Sequence, residues 1–376
     1  MAVPFVVALI EWELDERVYR LHRDAFLLSE DAFRRQYRLT KELVRWLCER
    51  LQGELTRVRR NTATSLTVEL QVLCALRFFA TGSFQGMVAT DEHLATSQSS
   101  VSRCIRAVAQ AIVDCLGEEW IAFPSTRAAV AATKAAFARL DDRFDGCVGC
   151  VDGTLIAIQA PSSNDPDINK AAYFCRKGFY ALNVMVVCDA EKRITALDPT
   201  FPGSVHDSFV WKASSLHEEF VGGRLVRPGE YLLGDSGYPL QPWLVTPVPG
   251  DHAARTPAAR FNTAHASVRS VVERCIGLLK ARFRCLQRYR TLHYAPTTAS
   301  TIVAACAVLH NLCLHYDCPE PDTTGDDEEG TNDEGSTDDE ESNDDEERGG
   351  PEGMARRGRE QREQLLCRFC CSRNSS

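Results

Sequence analysis

Apolar positions recur along the chain with two different periods, and the change from one to the other divides it. Up to about residue 140 they return every three or four residues between charged ones, the spacing of helices with one buried face. Residues 11–60 predict two or three short helices with Phe26, Phe33, Tyr37, Leu43, Trp46, Leu47 and Leu51 inward, a helix start at Thr40 and a stop at Gly53. Three further helices follow, over 67–80, 84–93 and 97–115, the first closed by Gly82-Ser83, and an Ala-rich helical stretch spans 124–142. From residue 147 the pattern shortens. CVGCVDGTLIAIQA (147–160) reads as a buried strand ending at Pro161, a polar loop covers 162–170, and the runs 180–189 and 193–201 predict a hairpin. A glycine loop, a helix over 207–220, a short strand over 230–234, a Pro-rich loop over 239–260 and helices over 264–285 and 297–315 complete the order.

Three antiparallel strands, a helix, a further strand and closing helices define an α/β class: a ribonuclease H-like mixed sheet with flanking helices. An all-helical N-terminal region, 1–140, precedes it. Within that region two short helices joined by a tight turn, about 84–115, match a helix-turn-helix. The α/β domain covers 147–316.

Composition changes the picture at the C-terminal end. The net charge of −9 mixes unlike regions: residues 317–347 hold 17 acidic and no basic side chains, while residues 1–316 hold 36 basic and 32 acidic ones. Too polar to offset chain entropy, 317–350 is expected to be disordered; 351–376 is a short basic, cysteine-containing ending. The 16 cysteines are scattered through apolar patterns, as reduced, buried small hydrophobes are. No apolar run reads as a membrane span, and residues 3–10 lack the flanks of a secretory signal, so an intracellular protein is expected.

Asp152 stands inside the first strand, where an unpaired charge is costly. Three more acids occupy awkward places: Asp207 after the glycine loop, Asp235 at the end of the fourth strand, and Glu273, expected on the inner side of its helix. In ribonuclease H-like order these converge. Two carboxylates about 4 Å apart repel by roughly 4 kcal/mol at an effective dielectric near 20, which a hard divalent cation, Mg2+ or Mn2+, relieves. Two such ions about 3.5–4 Å apart clamp the attacking and leaving oxygens of a phosphodiester.

The helix over 97–115 opens with Ser97, Gln98, Ser99 and Ser100 and places Arg103 and Arg106 on one face. Ser99, Ser100, Arg103 and Arg106 are candidates to touch DNA bases and phosphates; a bundle helix with a serine cap is the alternative. Arg176 and Lys177 are candidates for the DNA backbone, as are Arg57, Arg59 and Arg60 unless these form a solvated turn. Arg274, Lys280, Arg282 and Arg284 suit a DNA-facing rim or a solvated face, and His206 suits a water-orienting or a loop-stabilising role.

VDGT (151–154), RKGFYALNVMVVCD (176–189), FPGSVHDS (201–208), YLLGDSGYP (231–239) and VERCIGLLKARFRCL (272–286) together resemble, in order and spacing, the DDE endonuclease domain of PIF/Harbinger transposases. The likeness is closest to the Harbinger transposase-derived nucleases of animals. It implies metal-binding acids at Asp152, Asp207 and Glu273, with Asp235 as a fourth; strand topology instead favours Asp235 as the second acid, and both are kept. It also implies a Myb/SANT-like DNA-binding protein as partner. Phe261 stands where such proteins often have Tyr, and 248–259 is rich in Pro and Ala, so the surroundings of the site are expected to differ.

Two spacings are set aside as metal sites: Cys147-x-x-Cys150, which lacks a second pair, and Cys306, His310 and Cys313 on one helix face. The reading is a divalent-metal-dependent DNA endonuclease of the nucleus, the cytoplasm being a second location and a homo-oligomer an open possibility. The alternative is a catalytically silent, domesticated transposase that binds DNA or protein.

Overall fold

A computed structural model describes residues 23–57, 66–162, 168–321 and 351–370. The apolar stretch 3–10, Arg59, Arg60, Cys371 and the acidic segment from 322 to 350 lie outside the described residues. The described residues form two units: those up to 78 together with 83–108, and 79–82 together with those from 109 onward.

The first unit is helical. Helix α1 (Glu30–Tyr37) starts at Ser29, whose hydroxyl accepts the Ala32 N–H, and α2 (Lys41–Arg57) starts at Thr40, which accepts from Leu43. Phe33, Tyr37, Leu43, Leu47 and Leu51 are buried as the periodicity predicts. Gly53 does not stop α2, which runs on to Arg57 because a lone glycine weakens a helix without breaking it. Then come α3 (Val68–Thr81), α4 (Gln85–Ala89) and α5 (Gln98–Trp120), the last contributing residues to both units. Along α5, Val101, Ile105 and Val108 are buried while Arg103 and Arg106 are exposed, so its apolar and basic faces separate.

In the second unit, α6 (Arg127–Leu140) leads into a five-stranded mixed sheet of order β3-β2-β1-β4-β5: β1 (Cys147–Ala157), β2 (Ala181–Cys188), β3 (Ile194–Pro202), β4 (Tyr231–Leu233) and β5 (Leu244–Val245). The first three strands are antiparallel neighbours, and β4 and β5 add in parallel beside β1. Every residue of β2 is buried, as its apolar run, broken only by Asn183, requires between two helical layers. Strand β5 falls inside the predicted Pro-rich loop.

Helices α7 (Asp207–Ala213) and α8 (Ser215–Val221) replace the single helix expected over 207–220. The break is at Ser214, whose hydroxyl donates to the Trp211 carbonyl and accepts from His217, closing one helix and capping the next. Trp211 and Phe220 pack with Val151, Val187 and Leu232 on one face of the sheet. Helices α9 (Pro257–Arg282) and α10 (Pro296–His315) follow; Cys150 on β1 meets the Val268 carbonyl of α9, and Asn311 of α10 bonds both backbone groups of Ile194 on β3. Thr256 as N-cap and Pro257 at the first position start α9 earlier than its apolar stripe suggests. Helix α10 is long and apolar enough to cross a membrane, but 67% of that stretch is buried inside the protein, which makes it a core helix.

A last helix, α11 (Pro351–Cys367), has no counterpart in the apolar pattern. A Cβ on its Gly358 would come within 3.0 Å of the Gln241 backbone beside β5, and Arg362 donates to the Pro247 carbonyl at 2.9 Å. Just beyond it Phe369 is buried against Phe144 and Phe261, with the Arg143 guanidinium over its ring.

Candidate active site

Alternation along β1 distributes the chemistry. Cys150 and Asp152 point towards α9, whereas Val151 and Gly153 point towards the helices after β3. Asp207, the first residue of α7, brings its carboxylate over Gly153: a Cβ there would lie 2.4 Å from Asp207 Oδ1. Only glycine permits this approach. Gly153→Ala should push Asp207 away and cost about 1–3 kcal/mol of stability in urea unfolding, as overpacking does; an unchanged midpoint would count against the contact.

Asn183, buried in β2 opposite Leu155, holds Asp207 in place. Its side-chain amide donates to Asp207 Oδ1 and to the Val205 carbonyl, both at 2.8 Å. A polar side chain in so apolar a strand was the available signal for this residue. His206 is the exposed N-cap of α7, and its backbone carbonyl accepts from Phe209 and Val210. Asp235 follows β4 by two residues and accepts from the Gly237 N–H at 3.0 Å.

On the other side of β1, Arg269 of α9 donates to Asp152 Oδ2 at 3.2 Å and also pairs with Glu273. The arginine side chain is 18% exposed and Glu273 is 50% exposed, so Glu273 lies at the solvent edge of α9 and not on its inner side. One turn of helix separates the two, which is why they meet. Arg269 is absent from the residues read out of the sequence; its i,i+4 relation to Glu273 was the clue.

Burial raises the Asp152 carboxyl to about 7, against the pull of Arg269 and helped by the charges of Asp235 and Asp207. Asp235 is raised too, by burial and then by Asp207, with Arg269, the Gly237 N–H and Arg176 opposing. The acids thus feel one another. Burial first, and then these three aspartates, also push the buried Tyr238 phenol well above its ordinary value. Arg176 and Lys177 are exposed on the turn between Cys175 and Phe179, whose backbones bond at 2.9 Å.

The donors are all carboxylate oxygens, the ligands Mg2+ and Mn2+ prefer, and burial makes the charge of Asp152 and Asp235 costly. In donor chemistry the set fits a divalent cation. Among the described residues, however, no three His, Cys, Asp or Glu side chains converge at metal-binding separation. Arg269 bridges two of the acids instead.

In the other unit, Ser97 Oγ accepts from the Ser100 N–H and contacts the hydroxyls of Ser99 and Ser100, while Arg103 and Arg106 donate to Ser100 and Ser102. The serines therefore cap and tether this helix start. Cys147 and Cys150 are buried in β1, and His310 turns to the Lys192 carbonyl at 2.9 Å.

Residues 151–311, which run from β1 almost to the end of α10 and carry all four acids, match the family described as DDE superfamily endonuclease. This defines the class. The chain is 35% identical over 321 residues to "Putative nuclease HARBI1" of Bos taurus, covering 84% of this chain and 87% of that protein, and equally so to the Homo sapiens protein of that name. It belongs to this Harbinger transposase-derived nuclease family. "Protein ALP1-like" of Arabidopsis thaliana is more distant, at 24% over 312 residues, 79% of this chain and 73% of its own length. No solved structure matches the chain.

Proposed function

We propose that the protein is a divalent-metal-dependent DNA endonuclease of ribonuclease H-like fold. The observation that carries this reading is that Asp152, midway along β1, Asp235, two residues past the end of the adjacent β4, and Asp207, at the start of α7, lie within electrostatic reach of one another. The strand order, with β4 parallel to β1 at the sheet centre, supports the fold assignment. Asp152, Asp207 and Glu273, with Asp235, would hold Mg2+ or Mn2+. When bound, such ions activate a water and neutralise charge on the leaving oxygen of a phosphodiester.

The chain's own residues perform the remaining tasks. Asn183 fixes the orientation of Asp207, and Gly153 leaves room for it. Arg176, near Asp235, and the exposed Lys177 offer positive charge to the DNA backbone. A DNA substrate implies a nuclear location, and a Myb/SANT-like partner would add sequence reading. Incubation with supercoiled DNA and Mn2+, with and without chelator, tests the proposal: wild type should nick, and Glu273→Gln should not. Chelator-resistant cutting, or equal cutting by both, would overturn it.

The exposed arginines of α5 favour DNA contact by the helical unit. Arg103→Ala with Arg106→Ala should weaken DNA binding and lower its salt slope by about 1.8, since each phosphate contact contributes roughly 0.9. Unchanged affinity and slope in fluorescence anisotropy would exclude this role. A catalytically silent DNA-binding factor would lose affinity in this assay yet never nick in the first.

A further inference from the structure

We propose that Arg269 is the resident counterion of Asp152 and Glu273, and that a divalent cation enters by displacing it. The inference rests on the endonuclease reading, because it takes Asp152 and Glu273 to be metal ligands. Its basis is the bridge itself. One guanidinium spans carboxylates from two elements, Asp152 on β1 and Glu273 on α9, and its side chain is mostly buried between them. An ordinary surface pair at i,i+4 stays on its own helix; this one reaches across to the sheet.

Three consequences follow from the charges. A carboxylate oxygen given to an N–H of Arg269 is withheld from a cation, and two positive charges at one place repel. The guanidinium keeps its charge at every working pH, so it yields only by moving. Once displaced, it stands on α9 at the edge of the site as a two-pronged donor suited to a phosphodiester oxygen. An anionic substrate that draws Arg269 away therefore raises metal affinity, and the metal raises affinity for that substrate by the same factor. Arg269 is thus a positioning residue, setting the order in which metal and DNA load.

Calorimetric titration of Mn2+ into the full-length protein without DNA tests this, using wild type, Arg269→Gln, Arg269→Lys and Asp152→Asn. Arg269→Gln should bind Mn2+ about tenfold more tightly than wild type, within the roughly 5- to 150-fold range of such couplings, and gain more thermal stability from Mn2+. Arg269→Lys should fall between, since lysine keeps the charge but not the fork that spans two carboxylates. It also carries the test if the Gln variant does not fold: a Lys variant that binds no more tightly than wild type overturns the proposal. Equal or weaker binding by Arg269→Gln does the same. Mn2+ bound equally by wild type and Arg269→Gln but not by Asp152→Asn removes only this inference. Binding by none of the four removes the metal reading along with it.

Discussion

If the proposed activity holds, Asp152→Asn should lower cleavage of DNA in Mn2+ by about a thousandfold or more, the cost of losing roughly 4 kcal/mol of transition-state stabilisation at a carboxylate proposed to bind the metal. The same substitution makes the metal-free protein more stable at pH 8. Folded, Asp152 keeps its proton up to about pH 7; unfolded, it releases it near 4. Between these values the native state binds more protons than the unfolded one, so stability falls as pH rises and the loss is complete above about pH 7. Its size is on the order of 4 kcal/mol for a shift of about three units. Urea unfolding at pH 5 and pH 8 should show wild type weaker at pH 8, and the Asn variant should lose most of that dependence. Identical pH dependence in the two would refute the strained carboxylate. A site residue whose removal stabilises the fold is what a carboxylate retained for chemistry predicts.

Phe369→Ala costs about 3–5 kcal/mol of stability, as truncation of a fully buried aromatic does. Phe369 lies between Phe144 and Phe261, under the guanidinium of Arg143, and Arg368 beside it donates to the Arg143 carbonyl and to Asp145. Helix α11 and this anchor cover β5, the two-residue edge strand of the sheet, and the amino-terminal part of α9. The effect should appear as a lower urea midpoint with the slope unchanged. A loss below about 1 kcal/mol would mean that the C-terminal helix is dispensable to the unit.

The strands β1 and β2 were legible because each is rich in Val, Ile, Leu and Cys with a polar break on either side, and β3 because its apolar residues follow a short polar turn, as in a hairpin. Asp152 was legible for the same reason, as the one charge within β1. Strand β5 was not, since two residues in a Pro-rich stretch carry no period and take their conformation from β4. Helix α11 escaped for want of apolar positions: of its described side chains Leu365 is buried, and Phe369 lies beyond its end. Arg269 escaped because a helix-face arginine ordinarily faces water. Its partner on β1 is 117 residues away, and only the packing of α9 against the sheet brings the two together.

The proposed function turns on one claim, that Asp152 is the centre of a working nuclease site. The most direct measurement is nicking of supercoiled DNA in Mn2+ by wild type and by folded Asp152→Asn side by side. Chelator-sensitive nicking by the wild type and none above background by the variant is the expected result. Equal nicking by both, or none by a wild-type protein shown to bind both Mn2+ and DNA, would contradict it.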